Sequence, residues 1–198
     1  GWKNYEYRWE TTNFPSPKRK FIQPCWNGTD NLNDKIILLH GEQGLGDNIH
    51  FSRYFGLIKS KAKKTILQID KKLVQLFKES NFGNYIFSNS EKLPNFDIHC
   101  PLLSLPLKFS TTLKNIPFND KYFYPNRDRI IRWKKIFNNQ FLNVGINWQA
   151  SPNPDLDVGR SFELKYFNKI SSINKIRLYS LQKHNGLDQI NKNTKKIK

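Results

Sequence analysis

The chain has 198 residues, and its 33 Lys and Arg against 16 Asp and Glu give a formal net charge of +17. With 37% hydrophobic and 14% aromatic residues it has the material for a real core. No apolar run approaches the roughly 20 residues of a membrane-spanning helix, and the opening WKNYEYRWE lacks the apolar stretch of a secretory leader, so the expected location is the cytoplasm.

The charge admits a polyanion partner, but Lys supplies 25 of the 33 basic residues beside abundant Asn and Ile, the mark of compositional drift. Basic residues cluster only around Lys18–Lys20, Lys61–Lys64 and Lys192–Lys198. No helix carries a continuous basic stripe, so a nucleic-acid partner is not expected. The chain starts at Gly1 and contains no Met, which suggests a fragment or a processed chain. Cys25 and Cys100 lie far apart without a CxxC pair, which argues for small buried apolar residues in a reducing compartment and against zinc.

In chain order, residues 1–34 read as an extended, aromatic lead-in interrupted by Pro15, Pro17 and Pro24, its aromatics packed against a neighbouring element. Lys35–His40 is a continuous apolar strand of the kind buried on both faces. A glycine-rich turn, Gly41–Gly46, leads into a helix from Asp47 to about Lys59, with Phe51, Tyr54, Phe55 and Ile58 on one face. Thr65–Ile69 is a second strand, and Lys71–Ser80 a helix presenting Leu73, Leu76 and Phe77. Tyr85–Phe87 and Asp97–Cys100 are short strands, the latter followed by the loop PLLSLP. Asp128–Asn138 is a helix with Ile130, Trp133 and Phe137 inward. Phe141–Trp148 is a strand, the loop Gln149–Arg160 follows, and Ser161 is placed to cap a helix over Phe162–Ile170, with Glu163 in its first turn. Lys175–Gln182 is a last strand before a lysine-rich tail. Alternating strands and helices predict an α/β fold with a parallel sheet. The expected organisation is a lead-in over 1–34, a Rossmann-like first lobe over 35–140, and the start of a truncated second α/β lobe over 141–198.

The turn GEQGLGD carries the chemistry. Glycines between a strand and a helix permit positive φ and close approach of a ligand, and the helix start supplies free N–H groups. The spacing GxxGxG is not the dinucleotide fingerprint GxGxxG, and Asp47-Asn48 replaces the Lys-Ser/Thr of a P-loop. Asp47 has two readings. One is a helix cap. The other is a general base at the carboxyl end of a parallel sheet, where open α/β folds bind ligands. Glu42 is the second candidate base, with a solvated loop position as its plainer role. His40 and His50 flank the turn without further ligands, and His99 and Cys100 point to opposite faces of a strand, so neither pair reads as a metal site.

GEQGLGDNIHFSRY, together with FIQPCWNG, FDIHCPLLSLP, VGINWQASP and SLQK, resembles the glycosyltransferase region of bacterial tetratricopeptide-repeat proteins, a region similar to the two-lobed GT-B heptosyltransferases. The resemblance runs from about Tyr5 to Lys183 and rests on five segments in order. It implies transfer of a sugar from a nucleotide-sugar donor to a glycan, lipid or protein acceptor, with no metal or other cofactor. It puts the catalytic base at Asp47 and acceptor binding in the first lobe, at Glu42, Gln43, Gly44, Gly46 and Arg53. The donor falls to the second lobe, to Asn147, Trp148, Arg160, Ser161 and Lys183, with Arg160 and Ser161 as the diphosphate site. Asn48 and His50 depart from the Thr and Gln common in such sequences. The rival readings are a non-catalytic binding or scaffold module with a degenerate or truncated GT-B fold, and a polyanion binder.

Overall fold

A computed structural model of the chain describes residues 1–117, 121–137, 140–150, 157–190 and 197. The fold is α/β and divides into two compact units, Gly1–Asn126 and Arg127–Lys198. The lead-in belongs to the first unit, and the helix expected after Asp128 belongs to the second.

Four parallel strands build the first unit: β1 (Ile36–His40), β2 (Lys64–Ile69), β3 (Ile86–Ser88) and β4 (Ile98–Pro101), in the order β3-β2-β1-β4. Ile37 pairs with Thr65 on one side and Ile98 on the other. β1 and β2 are buried nearly throughout, which is why they read as unbroken apolar runs instead of alternating ones. The chain moves outward from β1 to β3 and then returns to the far side of β1. This reversal gives a Rossmann-like arrangement, in which the carboxyl edge of the sheet is the usual place for a ligand.

Helices complete the layers. Residues 2–10 are helical, not extended: α1 (Trp2–Tyr5) runs into a 3-10 turn at Glu6–Glu10. The prolines act only after this segment, because the first of them is Pro15. After β1 come α2 (Leu45–Phe51), a 3-10 turn over Ser52–Tyr54, and α3 (Phe55–Lys59). Helix α4 (Lys71–Glu79) is capped by Asp70, whose Oδ1 accepts from Lys72 N at 2.8 Å. It buries Leu73 and Phe77, as the spacing predicts. The PLLSLP segment is not a loop. It forms a 3-10 turn and α5 (Leu105–Lys108), with Leu102, Leu103 and Leu105 in the core. Only Cys100 is a buried cysteine; Cys25 is exposed on a short stretch that pairs with β4 through Trp26 N to His99 O at 2.7 Å.

The second unit holds α6 (Arg127–Lys134), β5 (Leu142–Ile146), a 3-10 turn at Leu164–Phe167, α7 (Asn168–Ser171) and β6 (Ile176–Ser180). β5 and β6 pair in parallel from Leu142–Ile176 to Ile146–Ser180. Ile146, Trp148, Leu164 and Leu178 form its core. The helix expected over Asp128–Asn138 stops at Lys134, and Trp133 and Phe137, expected inward, are exposed. They stack on each other, and Phe137 meets Tyr179 edge-on. Pro152 and Pro154 lie outside the described residues.

Candidate functional site

The glycine turn departs from expectation in its backbone. Gly41, Gly44 and Gly46 all lack positive φ, and the left-handed residue is Gln43, with φ of 58°. Of the three, Gly41 is the one that space requires. A Cβ at Gly41 would lie 1.8 Å from Asn48 Oδ1, and one at Gly44 would lie 3.1 Å from Asp47 Oδ2. At Gly46 a Cβ would meet nothing within 4 Å.

Helix α2 starts earlier than the sequence suggests. Its N-cap is Gly44, and Asp47 is the third residue of the helix. Gly44 has no side chain to donate or accept, so the reciprocal cap reduces to one half: Gly44 N donates to Asp47 Oδ2 at 3.0 Å. Asp47 thus holds the turn through one oxygen, and it remains partly exposed.

Glu42 is not a solvated loop residue. It is 5% exposed and faces Arg8, itself 6% exposed. Arg8 Nη2 donates to Glu42 Oε1 at 2.7 Å and Nε to Oε2 at 3.2 Å. The other Arg8 donors reach Ser104 Oγ, Tyr5 O and Glu6 Oε1. All five guanidinium hydrogens are therefore engaged. Burial pushes the Glu42 carboxyl above its ordinary range, and Arg8 pulls against that shift. Nothing in the sequence marks Arg8, because its partner lies 34 residues away.

The lead-in is the outer wall of this site. Ser16 Oγ accepts from Gln43 N at 2.6 Å, and Gln43 Nε2 donates to Tyr5 Oη at 2.6 Å. Arg19 donates to Gln68 Oε1 and, at 2.8 Å, to Asn89 Oδ1. Between this strap and the carboxyl ends of β1, β2 and β3 lies a cavity of about 340 Å³. Its floor comes from the sheet ends, through His40, Asp70 and Asn89. Its turn side comes from Gly41 through Gln43 and from Asn48, and its outer side includes Trp9 and Arg19. Asp47, Gly44, Gly46 and Arg53 are not among its lining residues. Arg53 donates through Nε to His50 O at 3.0 Å and lies over the Tyr122 ring.

His40 Nε2 and His99 Nδ1 are 3.1 Å apart. Burial holds His40 well below the ordinary histidine range, with the charges of Arg19, His99 and Arg8 acting in the same direction, and burial also lowers His99. The sign follows directly. Below a pH of about 6.5 the unfolded chain binds a proton that the folded His40 refuses. Stability is full above that pH and is lost as the pH falls. The expected slope is at most about 1.4 kcal/mol per pH unit from His40. Denaturant midpoints between pH 7.5 and 5.5 check it: His40→Phe should flatten the profile, and a slope unchanged in that variant would exclude His40 as its source.

The donor-site candidates all lie in the second unit. Trp148 is 1% exposed and belongs to its core, with Nε1 donating to Gly186 O at 3.2 Å. Asn147, Arg160 and Lys183 are exposed. Ser161 does not cap a helix. Its Oγ donates to Asp157 Oδ1 at 2.6 Å and accepts from Ala150 N at 2.9 Å, which ties the two ends of the loop together. The residue that precedes the following 3-10 turn is Glu163. Gln182 does most of the organising: its Oε1 accepts from Trp148 N and Gln149 N, and its Nε2 donates to Gln149 O and Asn185 O. Gln182→Ala should cost about 1–3 kcal/mol, read as a fall in thermal midpoint, since buried backbone groups lose their partner.

Among the described residues no group of three or more His, Cys, Asp and Glu side chains is arranged to hold a metal ion, and no helix is long and apolar enough to cross a membrane. In comparison with known proteins, no family model, no curated protein and no solved structure matches the chain.

Proposed function

We propose that the chain is a glycosyltransferase-like protein of GT-B type, acting in the cytoplasm, whose first unit receives a hydroxyl-bearing acceptor. A nucleotide sugar is the co-substrate, and no metal takes part. The observation that carries this reading is the cavity at the carboxyl ends of β1–β3, walled by the lead-in and bordered by the glycine turn. In the proposed reaction the acceptor oxygen attacks the anomeric carbon. Its proton passes to Asp47, the new C–O bond forms, and the bond to the nucleoside diphosphate breaks with its electron pair on the departing phosphate. Arg160 and Ser161 are assigned to the diphosphate, and Asn147 and Lys183 to the rest of the donor, whereas Trp148, expected there too, is a core residue. Glu42 is a poor base in this scheme, because Arg8 occupies both of its oxygens.

The test is release of nucleoside diphosphate from a panel of nucleotide sugars by the purified chain, with Asp47→Asn as the control. Turnover that disappears in the variant supports the reading. A binding module without catalysis is the second reading, and one observation favours it: both carboxylates of the turn already serve the fold, Glu42 through Arg8 and Asp47 through Gly44 N. Sugar binding without turnover on any donor decides for it.

A further inference from the structure

We propose that Arg19 is the specificity-determining residue of the first unit's cavity and that it holds an oxyanion, a carboxylate or a phosphate, carried by the acceptor. The inference rests on the reading of the cavity as an acceptor site and names the charge of the group it takes.

Arg19 lines the cavity and is half-buried. Two of its N–H groups are used, both on neutral amides: Nη1 donates to Gln68 Oε1, and Nη2 to Asn89 Oδ1 at 2.8 Å. A guanidinium has five N–H donors and stays charged in proteins. Three donors of Arg19 are therefore without a partner among the described residues, and no carboxylate of those residues forms an ion pair with it. Burial pulls its pKa below the ordinary arginine value, with the charge of Glu42 pulling the other way. Glu42 is spent elsewhere, since Arg8 binds both of its oxygens. The guanidinium is also held in place. Gln68 is 4% exposed at the end of β2, and its Nε2 donates to Ser88 O at 3.3 Å, which turns Oε1 toward Arg19. A positioned cation without its own anion is costly, and the fork of N–H groups on Arg matches a carboxylate or a phosphate.

Asp70, also in the cavity wall, is charged as well, but its charge has a counterpart in the fold. It caps α4 through Lys72 N and stands at that helix's N-terminus, where the free amides favour a carboxylate. Arg19 has no such counterpart, so the charge left to a ligand is the positive one. The amides of the glycine turn do not compete for an anion: Gly41 N, Gln43 N and Gly44 N donate to Gln68 O, Ser16 Oγ and Asp47 Oδ2. Asn89 adds a neutral donor, because its Oδ1 accepts from Arg19 and its Nδ2 has no partner among the described residues. The volume of about 340 Å³ is at the small end of ligand pockets, which suits a monosaccharide unit bearing one such group.

The experiment titrates the full chain with glucuronate and glucose 6-phosphate, with glucuronamide and glucose as their neutral counterparts, and with glucosamine, acetate and inorganic phosphate. Binding and the Arg19 Nε signal are followed by 1H–15N NMR. Glucuronate or glucose 6-phosphate should bind roughly 10- to 100-fold more tightly than its neutral counterpart and shift the Arg19 signal. Which of the two does so distinguishes a carboxylate from a phosphate. In Arg19→Gln the charged and neutral probes should come within twofold of each other, and Arg19→Lys should restore part of the preference. A purely structural role would weaken all probes alike and keep the ratio. Should Arg19→Gln not fold, the preference and the Arg19 signal of the unsubstituted chain decide by themselves. Neutral sugars binding as well as the acids, glucosamine binding tightest, or an Arg19 signal that stays unmoved overturns the inference and leaves the carbohydrate reading intact. Acetate or phosphate bound as tightly as the matching sugar keeps the oxyanion at Arg19 and overturns the carbohydrate reading. Binding of no probe overturns both.

Discussion

Arg8→Leu should destabilise the protein by about 3–5 kcal/mol, because it strands the Glu42 carboxylate in a site where its side chain is 2% exposed. The reverse truncation, Glu42→Leu, should cost less. Arg8 then keeps Glu6 Oε1, Ser104 Oγ and Tyr5 O as acceptors, whereas Glu42 without Arg8 loses the one cation that holds it. Replacing both at once, as Arg8→Leu with Glu42→Leu, should recover much of the loss, since a buried ion pair is often no more stable than apolar residues of similar volume. Chemical denaturation of the four proteins closes a double-mutant cycle. A coupling energy below about 0.5 kcal/mol would refute the pairing. The same substitution has a local signature. Arg8 links the lead-in to the glycine turn, so Arg8→Leu should raise amide exchange and proteolysis in residues 1–20 before the sheet is affected.

The parts of the fold that were legible in the sequence are those with a strong period or an unbroken apolar run. β1 and β2 stand out because both of their faces are buried, and α4 because Leu73 and Phe77 fall on one face. Where a turn chemistry competed with a simpler signal, the reading failed. Pro101 and Pro106 made PLLSLP look like a loop, yet Pro106 sits in the first turn of α5, where its missing N–H costs nothing. Ser161 had the right identity for a cap, but its hydroxyl is taken by Asp157 and Ala150.

The site was legible in place and not in wiring. The turn sits at the carboxyl end of β1 as the strand–glycine–helix order requires. The partners that define it come from Tyr5, Arg8, Ser16 and Arg19, and no local pattern announces contacts across 27 to 49 residues. The glycines illustrate the same limit. Their presence suggested backbone freedom, whereas Gly41 is required by the Asn48 amide opposite it and the positive φ falls on Gln43. A side chain meeting a glycine from seven residues ahead is a tertiary fact that spacing alone does not encode.

Asp47 carries the largest predicted effect on activity, and the choice of substitution decides what is learned. Asp47→Ala removes two things at once, the acceptor for Gly44 N and the proposed base. Asp47→Asn separates them. The amide oxygen still accepts from Gly44 N, so helix α2 keeps its start and stability should change by less than about 1 kcal/mol. The amide cannot take a proton from an attacking hydroxyl. Loss of a positioned general base lowers turnover by about 10²- to 10⁴-fold, and that is the expected fall in kcat. Steady-state kinetics on the donor found in the nucleotide-sugar panel, paired with a thermal melt of the same sample, gives both numbers. An Asn variant with wild-type turnover would remove Asp47 from the chemistry. A variant that melts early and loses activity in proportion would make the carboxylate a cap alone. Only a stable, slow enzyme fits a carboxylate that uses one oxygen for the helix and the other for the proton.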